Sequence, residues 1–93
     1  MFKTNEYFEG KVKSLAFQTP NKAATVGVMA IGDYVFNTAE PEKMTVVSGA
    51  MMIKLAETDK ECHYQAGESF SVPANSRFDV KISVETAYLC VYG

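Results

Sequence analysis

Apolar and polar residues alternate in several short runs along this chain, and glycine, proline or asparagine separates one run from the next. Alternation with a period of two predicts β-strands that bury one face and leave the other wet. The residues expected to face inward in the two clearest runs are Tyr34, Phe36 and Thr38, and Phe78, Val80 and Ile82. Breaks every 8–12 residues or so are typical of an all-β sandwich or barrel.

Two segments need a choice. The stretch 44–56 can be read as an amphipathic helix, but Gly49 at its middle costs a helix about 1 kcal/mol relative to alanine, and Val46–Val47 favours a strand. We therefore expect two strands that turn at Ser48–Gly49. Their inner face is expected to carry Met51, Ile53 and Leu55. The continuously apolar stretch 86–92 predicts a strand covered on both faces.

The pattern thus predicts nine or ten short strands and no clear helix, in one small barrel formed by residues 1–93. Composition agrees, since 47% hydrophobic and 22% charged residues are typical of a globular chain. The net charge of −2 is scattered without a basic run, which argues against nucleic-acid and anionic-membrane partners. No apolar run approaches the ~20 residues of a membrane span, and the N-terminus lacks the order of a signal peptide. We expect a cytoplasmic protein.

Cysteine and histidine are too few for a disulfide framework or a Cys/His metal site. The chain has two cysteines, Cys62 and Cys90, and a single histidine, His63. Cys90 lies in an apolar strand, where a free cysteine behaves as a small hydrophobic residue. His63 lies in a polar stretch and is expected at the surface.

Two stretches resemble the paired sequence motifs of the cupins. The first motif is matched at Gly32, Phe36, Thr38, Glu42 and Gly49, with its first gap shortened, and the second at Gly67, Pro73, Asn75 and Phe78. Cupins are jelly-roll barrels. The resemblance therefore implies a small cupin-like double-stranded β-helix, in agreement with the strand pattern.

The departures from the cupin motifs concern the metal ligands. Where cupins have two histidines, a glutamate and a further histidine, this chain has Phe36, Thr38, Glu42 and Phe78. One carboxylate cannot hold a catalytic transition metal, so we expect no metal. Two aromatic rings with a few polar anchors suit a flat organic ring sandwiched by π faces. Alternatively, Phe36 and Phe78 simply fill the barrel as core residues.

Longer blocks resemble one family over essentially the whole chain. The blocks are 5–14, 38–49 and 88–90. In this order they are similar to the small cupin-fold pyrimidine/purine nucleoside phosphorylases of bacteria. The resemblance implies phosphorolysis of varied nucleosides to the free base and ribose 1-phosphate. Inorganic phosphate would be the co-substrate, with no metal or other cofactor.

Phosphorolysis passes through an oxocarbenium-like transition state that a nearby carboxylate stabilises. Glu42 and Glu40 are the candidates, and Pro41 between them stiffens the backbone. The alternation that starts at Tyr34 directs Glu42 inward, whereas Glu40 lies in a turn and is either a site residue or a solvated carboxylate. Stacking of the base on Phe36 and Phe78 would tolerate every base, since every base has a π face.

Further side chains are candidates for phosphate, ribose and the leaving base. Arg77 could clamp phosphate, although alternation directs it outward. Lys11 and Lys13 share one strand face, which is either a phosphate site or simply solvated. Candidates for binding ribose or phosphate through hydroxyls are Thr38, Thr45 and Ser48, and candidates for donating to the base are Tyr34 and Tyr88.

The same pocket would also suit a non-catalytic module that binds a nucleoside or another ring compound. Phosphate-dependent release of free base distinguishes the two functions. Because a small barrel leaves strand edges exposed, we expect a homodimer, with Asn5–Ser14 as the candidate exchanged or pairing strand.

Overall fold

The computed structural model describes residues 1–93 as ten antiparallel β-strands without a helix. The strands are β1 (Thr4–Tyr7), β2 (Val12–Gln18), β3 (Ala23–Met29), β4 (Gly32–Asn37), β5 (Glu42–Ser48), β6 (Ala50–Leu55), β7 (Glu61–Gln65), β8 (Ser69–Val72), β9 (Arg77–Ile82) and β10 (Thr86–Tyr92). No helix is present that is long and apolar enough to cross a membrane.

The strands form two sheets that face each other. The larger sheet has six strands in the order β1-β2-β3-β10-β5-β8, and the smaller has four in the order β4-β9-β6-β7. Strand β10 therefore lies inside the larger sheet, antiparallel to both β3 and β5. The prediction of an all-β, cupin-like jelly roll is confirmed.

The core fills the space between the sheets with the residues that alternation directs inward. In β9, Phe78, Val80 and Ile82 are buried, and in β6 so are Met51 and Ile53. They belong to a cluster of fourteen buried residues that also contains Tyr34 and Cys90. Each large apolar side chain buried in this way contributes about 1.5–3 kcal/mol to folding.

Gly49 connects the two sheets. The structure confirms strands on both sides of Ser48–Gly49, but β5 belongs to the larger sheet and β6 to the smaller, so the pair is no hairpin. Gly49 has a φ of 93°, which disfavours any side chain. The buried Thr86 accepts the Ala50 N–H at 3.2 Å beside it.

The segment Asn5–Ser14 is a hairpin within its own chain. Strand β1 pairs with β2, so that Asn5 lies opposite Ser14 and Glu6 opposite Lys13. The Lys13 Nζ lies 3.1 Å from the Glu6 Oε1. Exchange of this segment, or its pairing with a second chain, stays a prediction; the outer edge of β1 is one of the two edges of the larger sheet.

Candidate functional site

A cavity of about 560 Å³ opens between the two sheets. It lies where the β1–β2 turn, the loop from β4 to β5 and the end of β10 come together. Its volume falls within the usual range for small-molecule sites, about 300–1,000 Å³. Eleven of its fifteen lining residues are hydrophobic, so the few polar groups among them define what the cavity can bind.

Two carboxylates lie on the cavity wall. Glu42 begins β5 and follows the inward alternation of Met44 and Val46, and it is half-buried. Glu40 precedes it in the loop and is exposed. The structure thus brings both predicted carboxylates to one site, while their chemical roles stay a prediction.

The thiol of Cys90 is the hydrogen-bond partner of Glu42. Its Sγ donates to the Glu42 Oε1 across 3.5 Å. Burial raises the pKa of the Glu42 carboxyl above its usual value; the Cys90 hydrogen bond opposes this shift and the charge of Glu40 adds to it. Burial and then the charge of Glu42 raise the pKa of the Cys90 thiol to about 12, so the thiol stays protonated.

The rings of Phe36 and Phe78 stack directly on each other. Their centroids are 5.5 Å apart and their planes differ by 26°. A base between two rings needs flanking planes about 7 Å apart, because each aromatic contact spans about 3.5 Å. The predicted sandwich between Phe36 and Phe78 is therefore wrong in this geometry. Phe78 is only 2% exposed and lies behind Phe36.

Two further aromatic residues on the cavity wall, Tyr7 and Phe8, come from the β1–β2 hairpin. Alternation does not identify them, because they lie at the end of β1 and in the turn. Phe8 packs edge-on against Phe36, with centroids 5.5 Å apart, and tilted against Tyr34 at 5.0 Å. The sequence signal for them is the adjacent aromatic pair just before Gly10.

Of the two predicted base donors, the structure brings only Tyr88 to the cavity. Its side chain crosses Gly27, where a Cβ would come within 2.9 Å of the Tyr88 hydroxyl oxygen. Burial raises the pKa of Tyr88 to about 12, so its hydroxyl keeps the proton. The Tyr34 hydroxyl instead donates to the Ala30 carbonyl at 2.6 Å, away from the cavity wall.

The three predicted hydroxyl ligands do not line the cavity. Thr38 is buried, where it donates to the Pro73 carbonyl at 2.7 Å and accepts the Ser76 N–H at 2.9 Å. Thr45 points to the outer face of the larger sheet, 2.8 Å from the Ser69 hydroxyl. Ser48 lies at the end of β5 in a separate groove. Among serines and threonines, it is Ser14 that lines the cavity.

No lysine or arginine lines the cavity. Arg77 is exposed on the outer face of β9, opposite Asn37, which is itself on the cavity wall. Lys11 and Lys13 border the separate groove that contains Ser48. The structure therefore places none of the predicted cations beside Glu42.

The cupin metal positions do not fit a metal ion here. Phe36, Thr38 and Phe78 offer no available donor, and no group of three histidine, cysteine, aspartate or glutamate side chains is close enough to hold a metal. The fold and this cavity define a cupin-like jelly roll whose site offers carboxylates, hydroxyls and aromatic rings to a small organic ligand.

Comparison with known families defines the chain more closely. Residues 2–92 match the model of the pyrimidine/purine nucleoside phosphorylase family, and the chain belongs to this family. It is 56% identical over 93 residues to a pyrimidine/purine nucleoside phosphorylase of Hahella chejuensis, covering both chains completely. It is also 61% identical over 89 residues to pyrimidine/purine nucleoside phosphorylase 2 of Psychrobacter arcticus, covering 96% of this chain and 95% of the relative.

Solved structures agree on the fold. A protein of unknown function from Vibrio parahaemolyticus superposes with a TM-score of 0.96 at 45% identity, covering 100% of this chain and 99% of that one. An ethanolamine utilization protein Q from Salmonella typhimurium superposes with a TM-score of 0.77 at 14% identity, covering 99% and 93%. The latter similarity extends to the fold alone.

Proposed function

We propose that this chain is a nucleoside phosphorylase of broad specificity that works without a metal. It converts purine and pyrimidine nucleosides and inorganic phosphate to the free base and ribose 1-phosphate. One observation carries the proposal: Glu42 and Glu40 share the wall of a largely apolar cavity with several aromatic rings. Family membership supports the same reaction class.

The reaction exchanges one bond at C1′ of the ribose for another. A phosphate oxygen bonds to C1′ while the bond from C1′ to the base nitrogen breaks, and its electron pair leaves with the base. The proton of hydrogenphosphate is taken up by the departing base. Positive charge on the ribose ring grows in the transition state, and ionised Glu42 and Glu40 stabilise it or accept from the ribose hydroxyls.

The leaving base needs a hydrogen-bond donor as it gains negative charge. Tyr88 is our candidate, because its hydroxyl stays protonated and its ring lines the same cavity as Glu42. Its phenol acts as a donor only, so the proton that the base acquires comes from the phosphate.

A neutral donor for phosphate lies on the cavity wall. The hydroxyl of Ser14 is such a group. Among the cations, we keep Arg77 as the proposed phosphate ligand, because its cross-strand partner Asn37 lines the cavity. A long, flexible arginine at this rim provides the bidentate geometry that suits phosphate.

The test is phosphate-dependent release of free base from inosine and from uridine by the purified protein. We expect release with both substrates, and a Glu42→Gln variant that loses about 100-fold or more in kcat/KM, as when one group that stabilises transition-state charge is removed. The matched control is Glu57→Gln, which changes an exposed glutamate outside the cavity and should keep full activity.

Two outcomes would contradict the proposal. Nucleoside binding with no phosphate-dependent base release would make the chain a binding module. Release that survives Glu42→Gln unchanged would remove the carboxylate from the reaction.

We also propose that the protein is a homodimer through the outer face of its larger sheet. One row of cross-strand partners crosses all six strands and contains no charged residue: Thr4, Leu15, Val26, Leu89, Thr45 and Ser69. Such a row can meet its own copy about a two-fold axis without charge repulsion. Exposed Leu15, Val26 and Val28 then become buried.

A further inference from the structure

The turn between β1 and β2 holds two bulky residues in a conformation that disfavours side chains. Phe8 has a φ of 54° and Glu9 a φ of 60°, both in the left-handed region, and Gly10 follows at 85°. Non-glycine residues pay free energy to stay there and tend to cluster at functional sites. The turn is closed by the Gly10 N–H on the Tyr7 carbonyl and the Lys11 N–H on the Phe8 carbonyl, each at 3.2 Å.

This turn sets the ring of Phe8 on a rigid support. Its partner Tyr34 is buried and anchored to the Ala30 carbonyl, and Phe36 is held from behind by Phe78. Phe8 itself remains 41% exposed and lines the cavity. A large aromatic side chain is thus kept partly in water, at a site where a polar turn residue would fold more easily.

The rings of the other two phenylalanines that line the cavity are already packed against other aromatic rings. Phe78 stacks on Phe36 and meets the edge of Phe70, with centroids 6.2 Å apart. Phe36 stacks on Phe78 and carries the edge-on contact of Phe8. Of the three phenylalanines that line the cavity, Phe8, Phe36 and Phe78, only Phe8 is largely exposed.

We propose that Phe8 is the base-binding residue of the cavity: its ring is the surface on which the purine or pyrimidine base stacks while the ribose contacts Glu42. This inference rests on the proposed function for the identity of the ligand. Phe78 is a supporting residue that holds Phe36, and it does not touch the base. Stacking accepts every base, and the larger π face of a purine gains more from it than a pyrimidine does.

The first test compares Phe8→Leu, which keeps an apolar side chain but loses the ring, with Phe8→Tyr, which keeps the ring. Phe8→Leu should raise the KM for inosine about tenfold and that for uridine less, with kcat changed by less than about threefold. Phe8→Tyr should stay within about twofold of the unmodified protein. Phe2→Leu is the matched control, because Phe2 is exposed and lies outside the cavity. A KM for inosine that Phe8→Leu leaves unchanged would overturn the inference.

A second measurement needs no activity and no loss of the ring. The chain contains no tryptophan, so Phe8→Trp puts a single reporter at the cavity mouth. Inosine should quench its fluorescence saturably, whereas Phe2→Trp should show no saturable quenching. If the unmodified protein released no base, the proposed function would fail by itself. Quenching of Phe8→Trp would then still support stacking at this position, and its absence would overturn it.

Discussion

Glu42 is a carboxyl group on which burial, a neighbouring carboxylate and a thiol act together. Burial is the largest of these influences, and it raises the pKa of Glu42 above its usual value. Because the unfolded chain lacks this influence, the folded state binds more protons than the unfolded state above about pH 4.5. The ionised form of Glu42 therefore lowers the stability of the fold.

The sign of the pH dependence follows. The contribution of Glu42 to the free energy of unfolding falls as the pH rises from about 4.5 through the raised pKa of the folded state. Glu42→Gln should remove this fall, so that the variant has a higher Tm than the unmodified protein at pH 7. At pH 4.5 the Tm values of the two proteins should differ less. Thermal unfolding followed by circular dichroism at both pH values measures this difference.

Glu57→Gln serves again as control and should leave the pH dependence of the Tm as it is, since Glu57 is exposed. A Glu42→Gln variant that is less stable than the unmodified protein at pH 7 would show that the carboxylate stabilises the fold. The expected gain in stability would accompany the loss of activity that the proposed function predicts for this variant, because stability and activity often trade off against each other.

At the residue scale, the sequence predicts well whether a side chain points inward or outward, but it predicts hydrogen-bond partners poorly. Alternation directs Glu42 inward, and the structure agrees. The same alternation makes Thr38 a candidate ligand, yet its hydroxyl is engaged by the Pro73–Ser76 loop, some 35 residues away in the chain. A side chain whose partners come from a distant loop cannot be assigned from local pattern.

At the element scale, the passage from β5 to β6 depends on Gly49. A Cβ there would lie 2.5 Å from the Thr86 Oγ1 and 2.8 Å from the Glu85 carbonyl oxygen. Gly49→Ala therefore introduces a steric clash and also places an alanine at an unfavourable φ of 93°. We expect it to lower the free energy of unfolding by about 2–4 kcal/mol, measured by urea denaturation.

Gly67 offers a matched control with nearly the same backbone. Its φ is 91°, and a Cβ there would meet nothing within 4 Å. Gly67→Ala should therefore cost only the conformational part, about 1 kcal/mol. Equal losses in the two variants would show that the contact with Thr86 contributes nothing.

The strands themselves follow from the sequence, but their grouping into sheets does not. Gly49 interrupts the apolar run 44–56, and the prediction that a strand ends there is confirmed, since β5 ends at Ser48. Whether the next strand folds back as a hairpin or crosses to the other sheet depends on packing against Thr86, which lies far along the chain. Phe8 could not be predicted as a residue of the cavity wall either, because it lies in a turn, where no alternation of apolar and polar residues indicates a direction.

At the scale of the whole molecule, the outer faces of the two sheets differ. The smaller sheet carries a row of four cross-strand partners, Val35, Asp79, Lys54 and Glu61, of which the last three are charged. Lys81 on the same face lies 3.2 Å from Glu61. The larger sheet carries the uncharged row that includes Val26 and Leu89. We expected the strand at 86–92 to be buried on both faces. This prediction is only partly confirmed, because the outer residues Ala87, Leu89 and Val91 are half-buried.

This asymmetry leads to a prediction of the oligomeric state. Light scattering after size exclusion should give twice the 10.2 kDa of one chain. Val26→Lys should shift the mass toward that of a monomer, because a dimer would bury a lysine on each side of the axis without a partner.

Val84→Lys is the control, since Val84 is similarly exposed but lies in the turn between β9 and β10. This variant should keep the mass of the unmodified protein. A monomeric unmodified protein would rule out the proposed interface.

The position of β10 links synthesis to completion of the cavity. This strand is translated after the other nine, yet it lies inside the larger sheet and supplies Tyr88, Cys90 and Tyr92 to the cavity. While a ribosome still covers these residues, β3 and β5 have no strand between them, so the larger sheet and the cavity are both incomplete. Closure of the barrel and completion of the cavity thus both wait until β10 has emerged from the exit tunnel.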